Sequence, residues 1–170
     1  MKQRLNKYKM DNYKIRLVNQ EDYCTWIELA KEVECLFGSM VDSKEFCKGI
    51  KDCIHKNNAF GIENKNKDLM GIIALDRENN EIIWLAVAKK YRGNRYGDKL
   101  VKKAIDELKI NGDIYVQTFS KREEQGKSAR IVYENNGFVD FKNADNNPAN
   151  METVVMIKTN KIFNPNAFYY

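Results

Sequence analysis

The sequence is poor in the groups that most often carry nucleophilic or metal chemistry. It has a single histidine, His55, in 170 residues. A Cys-His or Ser-His-Asp hydrolase would have to be built on that residue, and nothing near it resembles a nucleophile elbow. His55 falls beside the apolar stripe of its segment, which is a surface position. The four cysteines, Cys24, Cys35, Cys47 and Cys53, form no Cys-x-x-Cys pair, so no metal is expected. Cys47 and Cys53 fall on an apolar helical stripe, so free and mostly buried thiols are expected, and with them a cytoplasmic location. No apolar run approaches about 18 residues, so no membrane span is expected. The opening stretch MKQRLNKYKMDNYK has no apolar core and is not expected to be a signal peptide. Internal repeats and linkers are missing as well. The net charge of +5 comes without a dense basic tract interleaved with aromatics, which argues against nucleic acid as the main partner.

What is present suits a globular protein: 43% hydrophobic and 31% charged residues. One domain over residues 1–170 is expected, with 1–12 and 160–170 peripheral. A chain of this length buries about 70% of its unfolded surface. Strands are expected at 13–18, 59–63, 69–76, 81–87, 113–118, 138–141 and 153–158, from alternation or short apolar runs bounded by turn residues. Helices are expected from Tyr23 to a stop at Gly38, from Asp42 or Ser43 through Ile54, over 97–110, and over 128–135. Asn19 is placed to cap the first of these. Residues 121–127 and the Asn-rich 143–150 read as loops, the latter either a plain connection or a lip of a substrate cleft.

Residues 82–108, IIWLAVAKKYRGNRYGDKLVKKAIDEL, carry the strongest chemical signal. Ile82–Val87 is an apolar run, Gly93 and Gly97 lie in a basic turn, and Leu100, Val101, Ala104, Ile105 and Leu108 make one helical stripe. The first turn of a helix has N–H groups without intrahelical partners, and its dipole favours an anion by roughly 0.3–1 kcal/mol when exposed. Lys89, Lys90, Arg92, Arg95 and Lys99 surround the same place. The arrangement suits a phosphate or pyrophosphate. A basic solvated turn before an ordinary helix is the competing reading, and the glycines alone favour it. The strand–helix–strand order over 81–118 adds a parallel pair of strands, whose carboxyl ends are a favoured place for ligands.

The stretch Arg92-Gly93-Asn94-Arg95-Tyr96-Gly97 resembles the acyl-CoA-binding motif of the GNAT superfamily of N-acetyltransferases, (Gln/Arg)-x-x-Gly-x-(Gly/Ala). Arg95 stands where the middle glycine is usual. A side chain is tolerated there if the position is helical and excluded if it is left-handed or closely packed. Tyr133-Glu134-Asn135-Asn136-Gly137-Phe138 resembles the family's Tyr-x-x-x-Gly-Phe element. The likeness covers roughly residues 58–158. It implies an α/β fold of GNAT type, a mixed and mostly antiparallel sheet flanked by helices on both sides. It also implies acetyl transfer from acetyl-CoA, as cosubstrate, to a primary amine by direct attack.

The resemblance places Leu85, Ala86 and Val87 along the pantetheine arm and Arg92, Gly93, Asn94, Arg95, Tyr96 and Gly97 at the pyrophosphate. It makes Tyr133 the proton donor to the departing thiolate; the alternative is a core tyrosine anchored by its hydroxyl. It also makes Glu81 the candidate base, since in the histone acetyltransferase branch a base glutamate stands on a strand at this spacing from the turn; an ordinary hairpin glutamate is the alternative, and Glu28, Glu32 and Glu34 are rivals. A homodimer stays open. So do two other functions: a CoA-binding module without catalysis, and a basic nucleic-acid-binding domain.

Overall fold

The computed structural model describes residues 13–160. The peripheral segments expected at 1–12 and beyond 160 lie outside the described residues. The chain runs β1 (Tyr13–Leu17), α1 (Tyr23–Phe37), α2 (Lys44–His55), β2 (Ala59–Asn64), β3 (Leu69–Asp76), β4 (Glu81–Val87), α3 (Tyr96–Leu108), β5 (Ile114–Phe119), α4 (Lys127–Asn135), β6 (Val139–Ala144) and β7 (Thr153–Lys158). All seven strands join one sheet in the order β1-β2-β3-β4-β5-β7-β6. Every neighbouring pair is antiparallel except β4 and β5.

The sheet has a separate core on each face. β3 shows why its sequence is a continuous apolar run and does not alternate: it is covered on both sides. Ile73 faces one cluster, with Ile82, Leu100, Ala104, Val116, Tyr133 and Phe138, under α3 and α4. Ile72 faces the other, with Trp26, Leu29, Ile50 and Ala74, under α1 and α2. Both isoleucines are fully buried, which stabilises the fold by about 1.5–3 kcal/mol each. Trp26 of α1 packs on Trp84 of β4 with ring centroids 5.4 Å apart, fixing α1 above the middle of β4.

Local signals place the ends of these elements. Asn19 Oδ1 accepts from the Glu21 N–H at 2.8 Å, while Asp22 accepts from the Asn19 N–H at 2.9 Å. This reciprocal cap closes a single 3-10 turn ahead of α1. Gly38, at φ 90°, stops α1 in a conformation that side chains resist. Ser43 Oγ accepts from the Phe46 N–H at 3.2 Å and starts α2.

The thiols differ from expectation. Cys47 and Cys53 are half-buried, and Cys24 and Cys35 are exposed. α2 packs on the sheet through one narrow stripe centred on Ile50, so residues at its margin stay partly open.

Candidate active site

The site begins where β4 parts from β5. Their parallel pairing covers only Glu81 with Tyr115 and Ile82 with Val116. On the other side, β3 pairs Leu75 with Ile82 and Ala74 with Trp84, which leaves Ile83 unopposed as a bulge. A bulge bends its strand and increases twist. From Ile83 to Val87 the β4 backbone therefore turns its β5-side edge toward open space. The gap lies at the carboxyl ends of the only parallel pair in the sheet.

The basic turn closes one end of that gap. Residues Lys89–Tyr91 form a 3-10 turn, and Arg92 is extended. Gly93 follows at φ 80°, and α3 starts at Tyr96. Lys99 N–H bonds the Arg95 carbonyl at 3.1 Å, so the N–H groups of Tyr96, Gly97 and Asp98 precede the helical ladder. Gly97 faces α4, and a Cβ there would meet Val132 Cγ2 at 3.6 Å.

Arg95 overturns the simplest account of its side chain. It is left-handed, at φ 60° and ψ 22°, not the first residue of the helix. A non-glycine residue pays roughly 1–2 kcal/mol in that region. Its guanidinium is 3.4 Å from Asp98 and largely exposed. Two of the other cations bond to groups of the protein itself. Arg92 Nε donates to the Val87 carbonyl at 2.9 Å, and Lys99 Nζ donates to the Tyr13 hydroxyl at 2.8 Å.

Asp98 is buried where α3 meets α4. Burial alone would raise its carboxyl, but hydrogen bonds from Lys102 and Asn136 outweigh burial and hold it below the usual aspartate range. Asn136 Nδ2 donates to Asp98 Oδ1 at 2.8 Å and to the Val132 carbonyl at 2.8 Å, which locks the start of α3 to α4.

Two cavities occupy the gap. One, about 360 Å³, runs from Leu85, Ala86 and Val87 past Arg92, Gly93, Arg95, Tyr96 and Gly97 to α4. It gathers all the residues expected at the cofactor except Asn94, whose Nδ2 caps the turn through the carbonyls of Tyr91 and Arg92 at 3.1 and 3.3 Å. The other, about 260 Å³, lies deeper, between β4, β5 and the loop before β7, and is lined by both Glu81 and Tyr133. The two share Phe37, Leu85, Phe119 and Ala129. Phe37 and Phe119 stack with centroids 5.1 Å apart at this junction. Nothing in the sequence marks that pair, because one ends a helix and the other ends a strand 82 positions later and no spacing rule relates them.

Tyr133 is buried, its ring edge-on to Phe138 at 5.7 Å. Burial raises its hydroxyl well above the usual tyrosine value, and no hydrogen bond contributes. An anchored core tyrosine would need a hydroxyl partner, and there is none among the described residues. Burial also raises the Glu81 carboxyl, with the nearby Asp76 charge adding to it. The rival glutamates are engaged elsewhere or face solvent. Glu34 accepts from the Met40 and Val41 N–H groups at 2.9 and 3.0 Å, Glu32 accepts from the Lys89 N–H at 2.8 Å, and Glu28 is exposed. No cysteine lines either cavity, and His55 is exposed. Asn147, in the Asn-rich loop, does form part of the deeper cavity's rim and donates to the Leu36 carbonyl at 2.8 Å. Among the described residues there is no cluster of three metal-ligating side chains and no helix long and apolar enough to cross a membrane.

Comparison with known proteins gives the family and the fold. A family model described as "Acetyltransferase (GNAT) domain" matches residues 55–140. No curated protein matches the chain. Among solved structures, spermidine N-acetyltransferase from Vibrio cholerae in complex with CoA and spermine superposes with a TM-score of 0.65 at 16% identity, covering 88% of this chain and 96% of that one. The NatC complex bound to Gag peptide and CoA gives 0.68 at 18% identity, covering 87% and 98%. At these identities the likeness is one of fold.

Proposed function

The chain belongs to the GNAT family of acetyltransferases, and from that premise we propose that it moves an acetyl group from acetyl-CoA to a primary amine by direct attack. The observation that carries the reading is the parting of β4 from β5 after Ile82, with the start of α3 at the mouth of the gap. The free β4 edge offers N–H and C=O groups to the amide-bearing pantetheine arm. The N–H groups of Gly93 to Asp98 offer donors to the pyrophosphate, helped by the helix dipole. Acetyl-CoA supplies the activated acyl carbon as a thioester.

The remaining chemistry belongs to the deeper cavity. Glu81 takes a proton from the incoming ammonium, directly or through water. A carboxyl raised above its ordinary range is the better matched base near neutral pH. Tyr133 protonates the sulfur that leaves. Burial disfavours its ionised form, so it waits as the neutral hydroxyl and gives up its proton only as negative charge develops on the sulfur. Phe37 and Phe119 exclude water between the two cavities. Direct attack requires no acyl-enzyme.

The test is thiol release from acetyl-CoA in the presence of candidate amines, with Tyr133→Phe as control. Amine-dependent release that collapses in the variant supports the reading. CoA binding without release from any amine would identify a CoA-binding module instead.

A further inference from the structure

The deeper cavity has a lopsided wall. Among the described residues that line it, Glu81 is the only Asp, Glu, Lys, Arg or His. The polar side chains of Gln117, Thr153 and Asn147 on it already bond within the protein, and the Tyr133 hydroxyl is assigned to the departing sulfur. Gln117 Nε2 donates to Thr153 Oγ1 at 2.8 Å, and Thr153 Oγ1 donates to the Asp145 carbonyl at 2.6 Å. Asn147 spends its Nδ2 on Leu36 and its Oδ1 on the Ala149 and Met151 N–H groups, both at 3.0 Å. Most of what is left is apolar or aromatic: Phe37, Ile83, Trp84, Leu85 and Phe119. Trp84 is held by its stack on Trp26 and cannot easily turn aside.

This wall selects by charge and by shape. One ammonium finds a carboxylate. A second would lose its water and find no counter-charge, which is costly in an apolar surrounding. An apolar body gains by leaving water against the same surface. The volume, about 260 Å³, lies below the usual range for drug-sized ligands, so that body is small. We infer that the acceptor is a small primary monoamine with an apolar, ring-sized body, its nitrogen at Glu81 and its body against Ile83 and Trp84, and that polyamines are disfavoured. The inference rests on the acetyl-transfer reading above.

The experiment compares 2-phenylethylamine, spermidine and a short peptide with a free amino terminus as acceptors, reading released thiol with the full chain and acetyl-CoA. The expected kcat/KM for 2-phenylethylamine is at least tenfold above either rival. A smaller margin, or preference for spermidine or the peptide, overturns the inference while acetyl transfer stands. No release with any of the three overturns acetyl transfer and the inference with it. A second variant tests the charge argument itself. Ile83 is 48% exposed, so Ile83→Glu keeps the fold while adding a second carboxylate to the wall. The ratio of spermidine to 2-phenylethylamine activity is expected to rise at least tenfold, and an unchanged ratio overturns the placement of the acceptor body.

Discussion

The larger cavity, which we propose for the cofactor, and the smaller one, which we propose for the acceptor, lie side by side but are made of different material. The cleft presents the backbone of residues 84–87 and the N–H groups at the start of α3, and two of the basic side chains near it bond to groups of the protein itself. The acceptor cavity presents side chains, from β4, β5, α4, the end of α1 and the loop before β7. A site made of backbone depends on how the chain is folded and tolerates substitution. A site made of side chains depends on each one. Mutations should therefore separate the two: changes in the acceptor cavity act on turnover, and changes at the turn act weakly on binding.

The largest effect is expected at Tyr133. Tyr133→Phe removes only the hydroxyl, which has no partner among the described residues, so packing and stability change little. Loss of the proton donor should lower kcat by about 10²–10⁴ with CoA affinity retained. A Tyr133→Phe enzyme that turns over normally would return Tyr133 to the core and leave the contrast between the cavities resting on Glu81.

Glu81→Gln comes next, with a loss of about 10² at neutral pH. The base must be unprotonated to act. Its value is raised by burial and then by Asp76, so wild-type activity should fall on the acid side at a pH above the ordinary glutamate range. The variant should lose that limb and recover rate as pH rises and the amine deprotonates unaided. A pH–rate profile of both proteins checks this. An acid limb unchanged in Glu81→Gln would assign the base role to water.

On the cofactor side the expected effect is thermodynamic. CoA at about a hundred times its dissociation constant should stabilise the fold by about 2.7 kcal/mol, or roughly 5–10 °C in Tm for a chain of this size. Tyr133→Phe and Glu81→Gln should show the same shift as wild type. No shift at saturating CoA would show that the cleft does not bind CoA.

The same difference in material decides what could be read in advance. The cleft was legible because a strand, two glycines and an apolar helical stripe are contiguous, and local pattern reports local backbone. The strands at 69–76, 81–87 and 153–158 were legible for the same reason and match the structure at both ends. The β4 bulge was not, since Ile83 reads as one more apolar residue and only the register against β3 exposes it. Of the deeper cavity's lining, Glu81, Leu85, Tyr133 and the loop that carries Asn147 stood out in the sequence. Phe37, Gln117, Phe119 and Thr153 reach it through tertiary packing, which no spacing encodes.

Arg95 gives the smallest and sharpest test, because there backbone and side chain make opposite demands. The residue is left-handed at φ 60°, a conformation that costs a side chain roughly 1–2 kcal/mol. Glycine removes that cost and gives part of the gain back as unfolded-state entropy, about 0.5–1 kcal/mol. The ion pair to Asp98 offsets little, since the guanidinium is mostly exposed and the separation is 3.4 Å. Arg95→Gly should therefore leave stability equal or raise it by up to about 1 kcal/mol, an increase of at most roughly 4 °C in Tm. Arg95→Ala keeps the strained conformation and loses the charge, so it should not be stabilised. For binding, the two variants should agree: CoA affinity within about tenfold of wild type, because backbone donors carry the contact. Calorimetry on both proteins, with and without CoA, separates the effects. If both lose CoA binding altogether, the guanidinium is the main ligand and the cleft is a side-chain site like its neighbour. If Arg95→Gly alone loses it, the left-handed turn needs the stiffness of a side chain to hold its N–H groups in place.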